Sequence, residues 1–281
     1  MEIMQRTIVT AAVVASGLSM AAATAVAAGF PAAPVRRCAP DAVVAGTVCL
    51  DTYEASVWRV PDPTNTGKAL VLEIQRGLAT VDDLRAGGAT RLGLAPRDYA
   101  PCRDDGQNCA NDIYAVSLPS VMPSAFITWF QAAEACANAG KRLPTSAEWQ
   151  VGANGTPDPG VADNGTTDCN TVANDGVPTL TGTRRSCVSA RGAFDMVGNL
   201  GEWVAEWAPA STNCPSWGGF SDDVMCLAGA STTSTSPGAL LRGGAFFDDA
   251  FFLGPFAGPL SVADAPPNRE GRGFVGFRCA R

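Results

Sequence analysis

Histidine is absent from all 281 residues, and Lys68 and Lys141 are the only lysines. Without an imidazole there is no Ser-His-Asp or Cys-His catalysis, no histidine-ligated zinc, and no iron held by two histidines and a carboxylate. Cations are scarce altogether. The 20 Lys and Arg face 27 Asp and Glu, a formal net charge of -7, which argues against nucleic acid and against an anionic membrane surface as partners. The chain has no internal repeat and no coiled-coil heptad. Its apolar run from Ile8 to Met20 is short for a bilayer span and is followed by Ala, Thr and Gly rather than a stop-transfer charge cluster. With Arg6 ahead of it and Ala25-Val26-Ala27 behind it, residues 1–27 read as a signal peptide. No cysteine stands at the cleavage point, which argues against a lipoprotein. The remaining chain, roughly 250 residues, is expected to be secreted or periplasmic, with no membrane insertion after signal removal.

All 10 cysteines lie beyond that cleavage point. An even number in an exported chain reads as a disulfide framework, and the sequence offers neither paired Cys-x-x-Cys nor histidine for zinc. Cys38/Cys49, Cys102/Cys109, Cys169/Cys187 and Cys214/Cys226 close short loops, which leaves Cys136 and Cys279 for a long-range bridge. Spacing alone leaves other connectivities open.

Along the mature chain, residues 28–60 hold the first strands, including the alternating, β-branched stretch from Val48 to Trp58. Residues 61–119 read as an insertion: Pro and Gly punctuate a short helix from Lys68 to Arg76 and another opened by the capping-box pattern Thr80-x-x-Asp83. Residues 120–281 form the main domain. A helix is expected after Pro123, with Ser124 as N-cap, presenting Phe126, Trp129, Phe130, Ala133 and Cys136 and stopping at Gly140. A second is opened by Thr145-x-x-Glu148, so Glu148 reads as a cap rather than an acid catalyst. Residues 155–192 are rich in Gly, Asn, Asp, Thr and Pro and read as stapled loop. Short strands and turns fill the rest, which points to an α+β domain.

Four ordered blocks carry a family resemblance: Lys141 to Trp149, Gly192 to Asn199 with Glu202-Trp203, Arg242-Gly243-Gly244, and Gly276-Phe277-Arg278-Cys279. They resemble the signature blocks of the formylglycine-generating enzyme, or sulfatase-modifying factor, family, over roughly residues 120–281, with a weaker echo at Tyr53-Glu54. The resemblance implies a C-type-lectin-like fold of two helices on small antiparallel sheets with much irregular loop, and a Cys136 to Cys279 bridge. The family's enzymes bind copper(I) through a cysteine pair shortly after the Arg-Gly-Gly turn. Here those positions fall on Asp248 and Leu253, and no cysteine stands between Cys226 and Cys279. Carboxylate oxygen suits a harder metal class than copper(I), and relatives that use histidine-bound iron need a residue this chain lacks, so no copper is expected. The resemblance does imply a calcium turn: Asn199 and Glu202 by side chain, with Leu200 and Gly201 between them, Gly201 standing where the family usually has an aromatic. The acidic loop Asp104 to Asn108 lacks EF-hand spacing and reads as a solvated turn.

The segment from Ala245 to Pro267 is expected to be the recognition surface. It brings Phe246, Phe247, Phe251, Phe252 and Phe256 together with Asp248 and Asp249, where related domains line their ligand-facing side. Retroelement-diversified binding proteins share the Gly-Phe-Arg ending and vary in this same segment. The expected function is therefore a non-catalytic domain that binds a protein, small-molecule or glycan ligand. The alternative is a divergent periplasmic oxidase or maturation factor with a carboxylate base.

Overall fold

Hydrogen bonding along the chain builds ten strands and four helices in the computed structural model, which describes residues 37–172, 176–208, 225–226, 238–247, 257–267 and 273–281. The α+β class expected from the sequence is what these elements form. A hairpin of β1 (Ala42–Ala45) and β2 (Val48–Asp51) opens the fold. An antiparallel sheet follows in the order β4-β3-β5, from β3 (Ala55–Arg59), β4 (Thr90–Leu92) and β5 (Ile113–Ser117). The third sheet runs β10-β6-β8-β9-β7, from β6 (Gly201–Ala208), β7 (Met225–Cys226), β8 (Gly238–Arg242), β9 (Val262–Ala265) and β10 (Val275–Phe277). It is not wholly antiparallel. β10 lies parallel to β6, and β7 parallel to β9, because each strand returns to its neighbour by a long connection rather than a tight hairpin.

The caps decide the helices. α1 (Lys68–Arg76) ends on Gly77, whose φ of 69° is the left-handed closure that glycine takes without strain. The Thr80/Asp83 capping box opens α2 (Val81–Ala86), and the Thr145/Glu148 box opens α4 (Ser146–Ala153), both as the spacing predicts. The helix between them, α3 (Trp129–Asn138), departs from expectation. Thr128 is its N-cap, in a reciprocal box with Gln131, and Phe126 stands outside it at a φ of 57°. Ser124 is engaged elsewhere: its Oγ accepts from Val57 N–H and donates to Leu92 O, tying β3 to β4.

Two buried clusters organise the interior. The larger joins Trp58, Ile74, Leu84, Ile113 and Tyr114 to Trp203 and Phe277, so residues 61–119 share one core with the C-terminal strands. The smaller gathers Leu50, Trp149, Met196, Val204 and Ala280. Bridges Cys38–Cys49, Cys102–Cys109, Cys136–Cys279 and Cys169–Cys187 are formed. Cys214 lies outside the described residues. The Cys136 bridge pins α3 to the last strand, where Arg281 N–H donates to Cys49 O at 2.8 Å and Cys49 N–H to Arg281 O at 3.0 Å. Beside them Lys141 Nζ donates to Asp41 at 2.6 Å and Asp51 at 2.7 Å, all three buried. Burial raises the Asp41 carboxyl, but Lys141 and Arg281 outweigh it and hold the group below its ordinary value.

Candidate functional site: an interior acid cluster, an aromatic edge and an arginine-lined cavity

The turn before β6 is built on positive-φ residues. Gly198 has a φ of 71° and would press a Cβ to 2.2 Å from Asn170 O, so only glycine fits there. Asn199 follows at a φ of 57°, a conformation that asparagine tolerates better than most. This geometry aims both the Asn199 amide and Leu200 N–H at the Glu54 carboxylate, which leaves the loop before β3 to receive them. The weak sequence echo at Tyr53-Glu54 is thus the partner of the Asn199 turn.

Glu202 enters from β6, fully buried. Its Oε1 accepts from Arg278 Nη2 at 2.6 Å, and its Oε2 from Arg278 Nε at 2.7 Å and Trp149 Nε1 at 2.8 Å. Asp195 lies alongside and accepts from Gly182 N–H at 2.7 Å. Three carboxylates therefore surround one guanidinium in the interior. Burial pushes Glu54 well above its ordinary value, and the charges of Asp195 and Glu202 push the same way. Burial likewise lifts Asp195 to about 7, against the pull of Gly182 N–H and Arg278. Burial lowers Arg278, but Glu202, Glu54 and Asp195 outweigh it and raise the group.

The expected calcium ligands Asn199, Leu200, Gly201 and Glu202 do share this turn, yet they do not fit a calcium ion as placed. Arg278 supplies the positive charge that Glu202 needs. Asn199 Oδ1 already accepts from Thr179 N–H at 2.8 Å, and the Asn199 carbonyl from Phe246 N–H at 3.0 Å. Calcium asks for six to eight oxygens at roughly 2.3–2.6 Å, and no metal-ready group of three acidic or thiol side chains exists among the described residues. The acidic loop is likewise hydrogen-bonded: Asp105 Oδ1 accepts from Gln107 N–H, Asn108 Oδ1 from Arg103 N–H, and Asp104 from the Thr128 and Gln131 side chains at the start of α3. Glu148 is a cap, its carboxylate held down to about 2 chiefly by the Arg142 hydrogen bond.

Of the expected recognition residues, Phe246 and Phe247 are described; Asp248, Asp249, Phe251, Phe252 and Phe256 lie outside the described residues. The Arg-Gly-Gly turn fixes where that segment leaves the sheet. Arg242 is buried over the Trp149 ring at 4.6 Å and donates to Ser146 Oγ, Gln150 and Ser261 O. Phe246 packs on Ala125 and Leu200, its N–H on Asn199 O. Phe247 is half-buried, edge-on to Phe246 at 5.0 Å and to Phe274 at 4.8 Å.

Sequence reasoning missed a cavity of about 570 Å³ beside this edge. Trp58, Arg85, Arg91, Leu94, Met122, Phe126 and Leu180 are among the residues that line it. Its parts come from the end of α2, from β4 and from the loop after β5, so no single stretch of sequence signals it.

The profile of the sulfatase-modifying factor enzyme 1-like domain matches residues 102–281, well over half of the chain. The chain belongs to that family. No curated protein matches it significantly. Among solved structures it is similar to the Major Tropism Determinant M1 variant at 18% identity and TM-score 0.42, covering 85% of this chain and 51% of that one. The I1 variant gives 18% identity and TM-score 0.43 over the same shares. Treponema denticola variable protein 1 gives 21% and 0.30, over 50% of this chain and 47% of that one. The chain thus spans about half the length of the structures it matches. The signature blocks of the family acquire physical roles here: Lys141 neutralises two buried aspartates, Thr145 and Glu148 start α4, Arg242 clamps the Gly-Gly turn, and Arg278 neutralises Glu202.

Proposed function

We propose that the chain is an exported binding domain that keeps its family's scaffold, carries its recognition surface on residues 245–267, and lacks formylglycine-generating activity. The observation that carries this is the half-buried Phe247, held edge-on between Phe246 and Phe274 where the phenylalanine- and aspartate-rich segment leaves the sheet. A rigid aromatic there gives large contact area at little entropic cost to a partner. The strongly shifted carboxyls Glu54 and Asp195 support the same reading, because both are buried and neither lines a described cavity, as a general base would. No cysteine stands between Cys226 and Cys279, where the resemblance would put the family's cysteine pair on Asp248 and Leu253, and with it the soft ligands that copper(I) needs. The bridges among the described residues suit an oxidising compartment, and no described helix is long and apolar enough to cross a membrane.

Two experiments test this. A Cys-x-Pro-x-Arg peptide incubated with the oxidised chain, copper(I) and oxygen stays unmodified; conversion to the aldehyde overturns the non-catalytic reading. Peptides selected from a display library on the wild-type chain lose binding to the triple variant Phe247→Ser, Phe251→Ser, Phe252→Ser while its melting temperature is kept. Undiminished binding would move the recognition surface elsewhere.

A further inference from the structure

Arginines in this interior are paired almost without exception. Arg278 faces Glu202, Arg184 faces Asp163, Arg59 faces Asp112, and Arg281 faces Asp41. Arg91, half-buried, breaks the pattern, and the solvent-exposed Arg85 stands beside it. Both line the 570 Å³ cavity, and among the described residues neither guanidinium has an ion-pair or hydrogen-bond partner, although acidic residues outnumber basic ones in the chain. Arg91 is half-buried, and burial together with the neighbouring Arg85 pushes its group below the ordinary guanidinium range. Two like charges held near each other against apolar walls cost free energy that a bound anion would recover. Apart from Ser120, the rest of the described lining carries no polar side chain. Trp58, Met122 and Phe126 form the interior wall, and Leu94 and Leu180, 49% and 41% exposed, stand at the rim. The volume lies inside the range of about 300–1,000 Å³ typical of small-molecule pockets.

We propose that this cavity is a binding site for a small amphipathic anion, its acid group held by Arg91 and Arg85 and its one- or two-ring apolar body packed on Trp58, Met122 and Phe126. Guanidinium is suited to this role because its planar fork can meet two oxygens of a carboxylate, sulfonate or phosphate together. None of the described residues among 245–267 lines the site, so the test below is separate from that of the surface proposed above.

Calorimetric titration of the full, disulfide-intact chain with naphthalene-2-sulfonate, and in parallel with the neutral naphthalene-2-methanol, tests the assignment. The sulfonate is expected to bind saturably at one site and at least about tenfold more tightly than the alcohol. Arg91→Gln is expected to weaken the sulfonate about tenfold and leave the alcohol unchanged, and Phe126→Ala to weaken both alike. Arg85→Gln alters a solvent-exposed residue and so keeps the test open if the Arg91 variant does not fold. Equal affinity for both probes, no saturable binding of either, or sulfonate binding indifferent to Arg85→Gln and Arg91→Gln would overturn the proposal.

Discussion

Arg278 and Glu202, separated by 76 positions, meet through two atoms of one guanidinium fork: Nη2 lies 2.6 Å from Oε1 and Nε 2.7 Å from Oε2, with both side chains shut off from solvent. Removing the cation alone leaves the buried Glu202 carboxylate without its ion-pair partner. Arg278→Met is therefore expected to destabilise the fold by about 3–5 kcal/mol in urea denaturation. Arg278→Lys should recover little, since an ammonium cannot reproduce the fork. A loss below about 1 kcal/mol would mean the cluster is already neutral without Arg278.

Metal addition should do little. The carboxylate that calcium would need is already satisfied by Arg278 and Trp149, so EDTA and millimolar calcium are expected to leave the melting temperature unchanged. A rise with calcium, abolished by Glu202→Gln, would show that the turn rearranges to take the ion.

Stability should decline as pH rises toward neutrality. Asp195 titrates at about 7 in the folded chain against an ordinary value of 3.8, so between those values the native state keeps a proton that the unfolded state has lost. That contribution is full below about pH 4 and gone above about pH 7. Glu54, shifted the same way, adds to it. Glu148, held at about 2, and Asp41, also lowered, act oppositely as acid is added, so the optimum falls in mildly acid solution. Thermal melts of wild type and Asp195→Asn across this range check the sign; the variant should show a flatter decline on the alkaline side.

Opening the Cys136 to Cys279 bridge with a Cys136→Ala, Cys279→Ala pair should cost about 2–5 kcal/mol, the upper end reflecting the 143-residue separation it closes. The same pair of substitutions at Cys102 and Cys109, only 7 apart, should cost less. Comparable losses would place the stabilisation in native packing rather than in chain restriction.

Local chemistry was legible in the sequence, and convergence across the fold was not. The capping boxes at Thr80 and Thr145 are set within four residues and fall where their spacing puts them. α3 was misplaced because Ser124 resembles a cap, while the stronger Thr128/Gln131 box sits four positions on. The motif Gly276 to Cys279 identified Arg278 without its role, because Glu202, Glu54 and Asp195 reach it from distant segments. Glu202 is met by Arg278 and Asn199 by Glu54, and nothing nearby in sequence announces either partner. Arg85 and Arg91 stand in the stretch that reads as an insertion, and only the fold gives them a shared cavity.

The strand register joining Cys49 to Arg281 bears on how the molecule can be taken apart. The segment matched to the family begins at residue 102, yet Asp51 O, 227 positions before Arg278, accepts from that arginine, and Glu54 is the receptor for the Asn199 turn. An excised 102–281 fragment would thus carry every signature block and still lack the hairpin that closes over its last strand. In N-to-C synthesis Asp51 O and the Glu54 carboxylate are made long before Arg278 and the Leu200 N–H, which meet them from 227 and 146 positions later. Closure across such a separation in sequence belongs to slow folding.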